Sequence, residues 1–445
     1  MGINSHVIKS TIVGSLGGLL FGFDTAVISG TTAALTTAYK LSPASLGITV
    51  SIALWGTVLG ALTAGYPGQR WGRRDSLRVM AIMYVISAIG CAFAWSLVSL
   101  DVFRFIGGIA IGGSSVLGPM YIAEIAPPLW RGRLVGFFQT NVVIGILLAY
   151  ISNLGIRTFK TGLIEWRLQL GVSGIPALLF FIALFFIPRS PRWLVMQGRT
   201  ADALEVLTLI GVEKPRSLLA RIEEAVGEES KAAGTNVFKM RYRLPIFVAL
   251  SVGAFCQLSG INAVLYYLND IFALSGVSQI SGDIQAVAVG SMNLVATLLA
   301  MSVIDKFGRK KLLLTGTAAL SLCLAVIAWV FATHRHENWL VWLLMIYIAF
   351  FAISQGATVW VYISEVFPTN VRAKGQSLGS SSHWITNAII TIIFPVAARR
   401  SASVPFVFFA AMMFLDFFLV LFIYPETSGR SLETLQHQLD ANSVI

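Results

Sequence analysis

Charge is what this sequence has least of. Only 12% of its 445 residues are Asp, Glu, Lys or Arg, about half the share usual in soluble globular domains. That shortage excludes a chain that shows most of its surface to water. Cysteine is scarce as well: Cys91, Cys256 and Cys323 stand far apart inside apolar segments, which excludes a disulfide framework or a cysteine metal motif. There is no clustered nucleophile, metal set or phosphate loop, so neither an enzyme nor a cofactor is expected. Hydrophobic residues fill the space instead, at 56% of the chain with a mean hydropathy of +0.77. A bilayer-crossing helix needs roughly 20 mostly apolar residues, which leaves room for about a dozen.

Apolar stretches fall at 8–33, 46–67, 76–97, 100–123, 134–155 and 168–187, then at 244–268, 284–304, 312–332, 339–363, 376–396 and 404–424. The first lacks a charged lead-in and a small-residue cleavage site and is too long for a signal peptide, so it reads as a span. The fold class is therefore an all-α membrane protein with twelve transmembrane helices. Residues 1–187 form an N-terminal six-helix half and 244–424 a C-terminal one. Between them, 188–243 is a polar linker whose patterns at Ala201–Ile210 and Ser217–Val226 predict short surface helices. Residues 425–445 form a polar tail.

Cytoplasmic loops carry the excess of Lys and Arg. With the amino terminus inside, 24 of the 32 lie on the cytoplasmic side and 7 outside, while Arg104 sits within the membrane. Both termini are thus expected in the cytoplasm, with the chain multi-pass in the cytoplasmic (inner) membrane. The net charge of +11 then lines one membrane face in short loops, and no nucleic-acid partner is called for.

The halves repeat. Gly72-Arg73-Arg74 is answered by Gly308-Arg309-Lys310; Glu124 and Arg131 by Glu365 and Arg372; Pro188 by Pro425. Three chemically distinct landmarks at offsets of 236, 241 and 237 residues indicate duplication. Two similar halves around a midplane site are the layout that alternating access uses.

These landmarks belong to a longer set. The first span reads Gly-Gly-Leu-Leu-Phe-Gly-Phe-Asp-Thr-Ala-Val-Ile-Ser-Gly (17–30), and the fourth has Arg104, Gly107, Gly108, Gly112, Pro119, Tyr121 and Glu124. The linker opens Pro-Arg-Ser-Pro-Arg-Trp-Leu (188–194), the seventh span holds Gln257 and Gly260-Ile261-Asn262, and 425–433 reads Pro-Glu-Thr-Ser-Gly-Arg-Ser-Leu-Glu. In this order and spacing the chain resembles the sugar porter branch of the major facilitator superfamily over nearly its whole length, most closely its bacterial D-xylose–proton symporters. The resemblance implies a monomeric carrier in membrane lipid whose partners are a monosaccharide and a coupling proton.

An ionisable group deep in a span is costly and marks function by default. Asp24, Arg104, His383 and Asp416 are such groups. Asp24 is read on a face with Gly14, Gly18 and Gly22, whose spacing lets helices approach closely, and Arg104 is its natural partner. Proton-coupled members of the family have Asp and Arg at these positions, so the resemblance implies that Asp24 loads and releases the proton while Arg104 tunes it. Burial favours the neutral acid and a guanidinium favours the carboxylate; a permanent structural ion pair is the other reading. Asp416 has no role in the family pattern, which leaves pairing within the twelfth span's packing or a local water pocket.

Sugars need amides and hydroxyls for directional hydrogen bonds and aromatic faces against their C–H surface. Gln139, Gln257, Asn262, Tyr266, Asn293 and Trp360 stand where the xylose-transporter pattern contacts sugar, and Trp384 beside His383 adds an aromatic wall. Taken singly, a polar residue in a span is more often interhelical glue; six coincidences with the family pattern favour a pocket. Departures from the pattern are Cys256 for the first Gln of a pair, Ile146 for a Gln, Gln355 and Ala357 for Trp and Pro, and His383 for Gln or Asn. The sugar's identity therefore does not carry over.

Arg73, Arg74, Arg131 and Arg133 with Glu124, and Arg309 with Glu365 and Arg372, are expected to form ion-pair networks that latch the cytoplasmic gate. Gln69 and Arg189 replace acids of that network, which predicts a weakened latch. The reading is a monosaccharide importer, pentose or hexose, driven by proton symport. A facilitator using the same pocket is the alternative; a transporter-like sugar sensor fits poorly with a 21-residue tail.

Overall fold

The computed structural model describes residues 4–127, 130–232, 237–238, 242–276, 279–367 and 371–427. Among them are twelve helices long and apolar enough to cross a membrane: Ser5–Gly30, Pro43–Arg70, Arg73–Ala92, Leu97–Ile125, Arg131–Thr158, Gly162–Ala183, Arg243–Tyr266, Ser281–Ser302, Arg309–Thr333, Glu337–Ile363, Lys374–Arg400 and Ser403–Phe422. Each expected apolar stretch is met by one, and no strand occurs among the described residues. Span ends depart from the apolar windows where capping decides. The fourth opens at Leu97 because Ser96 and Ser99 exchange side-chain and backbone hydrogen bonds in a capping box.

The linker holds helices at Pro191–Met196, Thr200–Leu209 and Pro215–Ala232. The first starts sharply, with the Ser190 hydroxyl accepting from Trp193 N and proline at the first position. Trp193, Leu194 and Ala203 then form a small core of their own.

The repeat is visible in the backbone. Gly72 and Gly308 both precede their helix at φ +90° and +80° with nearly equal ψ of 157° and 152°, a conformation that favours glycine. Tyr121 donates its hydroxyl to the Pro188 carbonyl at 2.8 Å, and Tyr362 donates likewise to Pro425.

Two spans are broken where hydropathy alone reads them as continuous. The seventh runs Arg243–Leu258, then Ile261–Tyr266, hinged at Gly260 with φ +85°, where any Cβ would strike the Phe409 ring. In the tenth, Leu340–Ile353 gives way at Ser354 (φ −102°, ψ −92°) to Gln355–Glu365. The Ser354 hydroxyl turns back to the Phe350 carbonyl at 2.6 Å. Irregular backbone at membrane depth is tolerated only inside protein or along a cavity, so both breaks mark interior positions.

Packing divides the chain into two compact units. One comprises Met1–Asp24, Trp55–Ile146 and Leu170–Thr235; the other comprises Thr25–Leu54, Leu147–Gln169 and Asn236–Ile445. This division cuts across the repeat for an identifiable reason. Within the second unit, Tyr150 donates to the Leu265 carbonyl at 3.1 Å and Asn153 to that of Val27 at 3.1 Å. Arg157 pairs with Asp283 and, at 3.6 Å, with Glu165, and it donates to the Gly30 carbonyl at 3.1 Å. Asp283 in turn accepts from Asn269 at 2.5 Å.

Candidate functional site

In the first unit, Arg104 Nη1 lies 3.9 Å from Asp24 Oδ1; the arginine is 3% exposed and the carboxylate 30%. This is a loose ion pair rather than a hydrogen bond, and its acid keeps some open surface. The expected glycine face is corrected by the structure. Gly14 does abut the fourth span, at Tyr121 and Ile122, but a Cβ on Gly18 or Gly22 would strike the carbonyls of Phe138 and Val142 on the fifth, whereas Gly17 abuts Ser114 on the fourth. Asp24, seven residues after Gly17, shares that residue's face and so meets the fourth span, where Arg104 stands. Tyr84 and Ser114, whose hydroxyls approach to 3.4 Å, border the same region and were not singled out from sequence.

In the second unit a polar chain forms around the break of span seven. Asn262 Nδ2 donates to Gln257 Oε1 at 3.1 Å, and Gln257 Nε2 lies 2.8 Å from His383 Nε2. An amide nitrogen only donates, so the contact is a hydrogen bond in the tautomer whose Nε2 accepts; the same amide nitrogen lies 3.4 Å from Nδ1. The His383 ring sits 4.8 Å from that of Trp360 and 5.1 Å from that of Trp384. Trp384 is buried, while Trp360 is 40% exposed and offers an open aromatic face. One turn along, Asn387 Nδ2 reaches the Tyr266 hydroxyl at 3.4 Å. Asn293 is buried in the eighth span. Gln139 is half-buried in the fifth span, within the first unit.

Asn387 went unremarked in the sequence, although His383, Asn387 and Thr391 recur every four residues on one helix face and the last two are hydrogen-bonded. Cys256 is buried beside this chain. Gln355 turns to Asp416 instead, at 2.9 Å.

The charged landmarks are mostly paired within their own units. Arg73 Nη2 meets Glu124 Oε1 at 2.8 Å, with side chains 5% and 10% exposed. Asp75 gathers Arg74, Arg78 and Arg189 at 3.1, 2.8 and 2.9 Å. Arg189, read from sequence as the loss of an acid, thus has an acid partner that the sequence reading passed over, and the Gln69 carbonyl accepts from Trp193 Nε1 at 2.8 Å. Arg131 and Arg133 are exposed. Arg133 lies over the Trp130 ring at 5.3 Å.

In the second unit, Arg309 meets Glu365 at 3.3 Å, and Thr427 donates to the same carboxylate at 2.6 Å. Glu426 accepts from the backbone N–H groups of Arg309 and Lys310 at 3.1 and 3.2 Å, an anion on a helix start. Arg372 opens a helix, and its side chain lies outside the described residues.

Comparison with known proteins accounts for this layout. Residues 10–439 match the family model "Sugar (and other) transporter". The chain is 34% identical to the D-xylose-proton symporter of Escherichia coli (strain K12) over 471 residues, covering 97% of this chain and 96% of that one. It is also 34% identical to the arabinose-proton symporter of Bacillus subtilis (strain 168), covering 97% and 94%. The inward open, partially occluded structure of the xylose transporter XylE from E. coli superposes with a TM-score of 0.86 at 31% identity, over 96% of this chain and 100% of that one. XylE bound to 6-bromo-6-deoxy-D-glucose gives 0.81 at 32% identity over 98% and 99%. The chain is a multi-pass membrane protein with the major facilitator fold, and it belongs to the sugar transporter family.

Proposed function

We propose that this transporter imports a monosaccharide, pentose or hexose, by proton symport. Its halves, 1–187 and 244–424, would rock about the cytoplasmic linker 188–243, with both termini in the cytoplasm and the chain acting as a monomer. The observation that carries the coupling is Asp24 facing Arg104 with part of its surface open. A carboxyl balanced between burial and a guanidinium changes its proton occupancy when its access to water changes. The sugar is assigned to Gln257, Asn262, Tyr266, Asn293, Trp360, His383 and Trp384, with Gln139 as a further ligand. The hydrogen-bonded amides beside an exposed indole face support this assignment. The charged pairs of Arg73, Arg74, Glu124, Arg309 and Glu365, with Arg131, Arg133 and Arg372, are assigned to the cytoplasmic gate. The relatives that are proton symporters for xylose and arabinose support the same reading.

Uptake of labelled D-xylose, L-arabinose and D-glucose into proteoliposomes, with and without an imposed proton gradient, tests it. Accumulation above equilibrium is expected only with the gradient. Equal, merely equilibrating uptake in both conditions would identify a facilitator.

A further inference from the structure

Asp416 is the one intramembrane acid of the sequence reading to which the family pattern assigns nothing. It stands in the twelfth span, 2% exposed. Its Oδ2 accepts from Gln355 Nε2 at 2.9 Å, and the same amide nitrogen lies 3.6 Å from Met413 Sδ. Two polar atoms here are buried without a partner, Asp416 Oδ1 and Gln355 Oε1. Both belong to the same two side chains. A carboxylate would leave two buried acceptors, one on each of two hydrogen-bonded side chains, with no donor for either. A carboxylic acid supplies the missing donor.

We propose that Asp416 and Gln355 form a second proton-binding site of this protein, in which the acid and the amide close a hydrogen-bonded ring. Gln355 Nε2–H donates to Oδ2, and the Asp416 Oδ1–H donates to Gln355 Oε1. All four polar atoms are then satisfied, as buried polar groups require. An ionised carboxylate in a span needs a cation, and the neighbouring elements provide none among the described residues. Span seven contributes Cys256, and the segment after span twelve contributes Tyr424, both neutral when protonated. Span nine contributes Cys323 along its length and, at its start, Arg309, which pairs with Glu365, Lys310, which donates to the Leu421 carbonyl, and the exposed Lys311. Span eleven carries His383, which is engaged by Gln257, and Lys374, Arg399 and Arg400 near its two ends, and span ten ends in Glu365.

The location gives the proton a structural consequence. Gln355 is the first residue after the break at Ser354, so the ring fastens the second segment of span ten to span twelve at its hinge. Gly316 of span nine leaves the room that Ser354 fills there. The site is independent of how transport is coupled at Asp24.

Infrared spectroscopy of the full-length protein in lipid nanodiscs, with aspartate carboxyls isotopically labelled, tests the proposal. At neutral pH the Asp24→Asn/Asp270→Asn protein, in which the other acid expected to hold a proton near pH 7 is also removed, is expected to show the carbonyl stretch of a protonated aspartic acid, and adding Asp416→Asn is expected to remove that signal. Because asparagine can make both hydrogen bonds of the ring, Asp416→Asn is also expected to fold and melt like its parent. Failure of Asp416→Asn to fold, or a protonated-acid signal unchanged by it, overturns the proposal. Gln355→Leu leaves the acid in place and removes its partner, so the Asp416 band should move to the frequency of an acid without hydrogen bonds. An unmoved band would show that the ring does not exist.

Discussion

Asp24 and Asp416 are both carboxyls inside apolar spans, yet one faces a guanidinium and the other an amide. Asp24 has Arg104 at 3.9 Å and a side chain 30% exposed; Asp416 has Gln355 at 2.9 Å and is 2% exposed. A counter-ion and open surface lower the cost of charging an acid, which suits Asp24 to the proton exchange proposed for it. An amide alone lowers that cost far less, so Asp416 is fitted to hold one. Position along a span therefore does not make a carboxyl a coupling site; its partner and its access do.

The largest expected effect removes Asp24, the acid to which we assign proton exchange. One pH unit is worth ~1.4 kcal/mol, which supports at most about tenfold accumulation for one proton per sugar. The wild-type protein should approach that limit under an imposed gradient, and Asp24→Asn should accumulate nothing. Exchange of labelled for unlabelled sugar across the membrane should persist in Asp24→Asn. Accumulation by that variant would remove the distinction between the two acids.

Next in size is a buried acid of the first unit deprived of its cation. Arg73→Ala removes the cation 2.8 Å from the enclosed Glu124 carboxyl, and breaking a buried pair from one side costs about 3–5 kcal/mol. Arg309→Ala should cost about 1 kcal/mol or less, because its partner Glu365 is 27% exposed and keeps Thr427. Denaturant unfolding in detergent compares the two. Equal losses would mean that burial does not distinguish the repeated motifs.

Much of this was legible in the residues, and the exceptions share a cause. Lipid demands long apolar helices, so all twelve spans stand out by length and composition. Amides and aromatics inside spans are rare enough for Gln257, Asn262 and Trp360 to draw notice. The breaks at Gly260 and Ser354 were hidden because their flanks are equally apolar whether the helix continues or not. The Gln355–Asp416 pair needs the register of two spans whose partners lie 61 residues apart, which no local pattern contains. Asp75 was masked by its arginines, since a Gly-Arg-Arg-Asp run reads as a topology signal before it reads as a network. The glycines of span one led to the wrong face because spacing by four reports where a helix can approach, not which neighbour arrives.

A smaller effect is expected at the polar chain. His383→Ala leaves the Gln257 amide without its acceptor, and an unsatisfied buried group costs about 1–3 kcal/mol. Sugar binding measured by isothermal titration should weaken by roughly 5- to 150-fold. His383→Gln, which can also accept from Gln257, should lose less. If both variants bind as the wild type does, the chain is structural glue and the second unit's role rests on other residues.

The smallest effect extends the comparison to an acid beyond the spans. Asp270, in the segment after span seven, has a buried Oδ2 with no partner, and among the described residues no cation offsets its charge. Burial pushes its carboxyl up to about 7 from an ordinary 3.8, against partial relief from the Thr32 hydroxyl. The folded protein therefore holds a proton that the unfolded chain has released between about pH 4 and 7, and stability falls as pH rises through that window. Below it the contribution is complete; above it the charged carboxylate stays buried. Solvent at this half-buried site reduces the change to about 1 kcal/mol. Melting followed from pH 5 to 8.5 in nanodiscs should decline for the wild type and flatten for Asp270→Asn, with the variant the more stable above pH 7. Parallel curves would mean that Asp270 charges freely. Of these two acids, Asp416 would then be the one still expected to hold a proton.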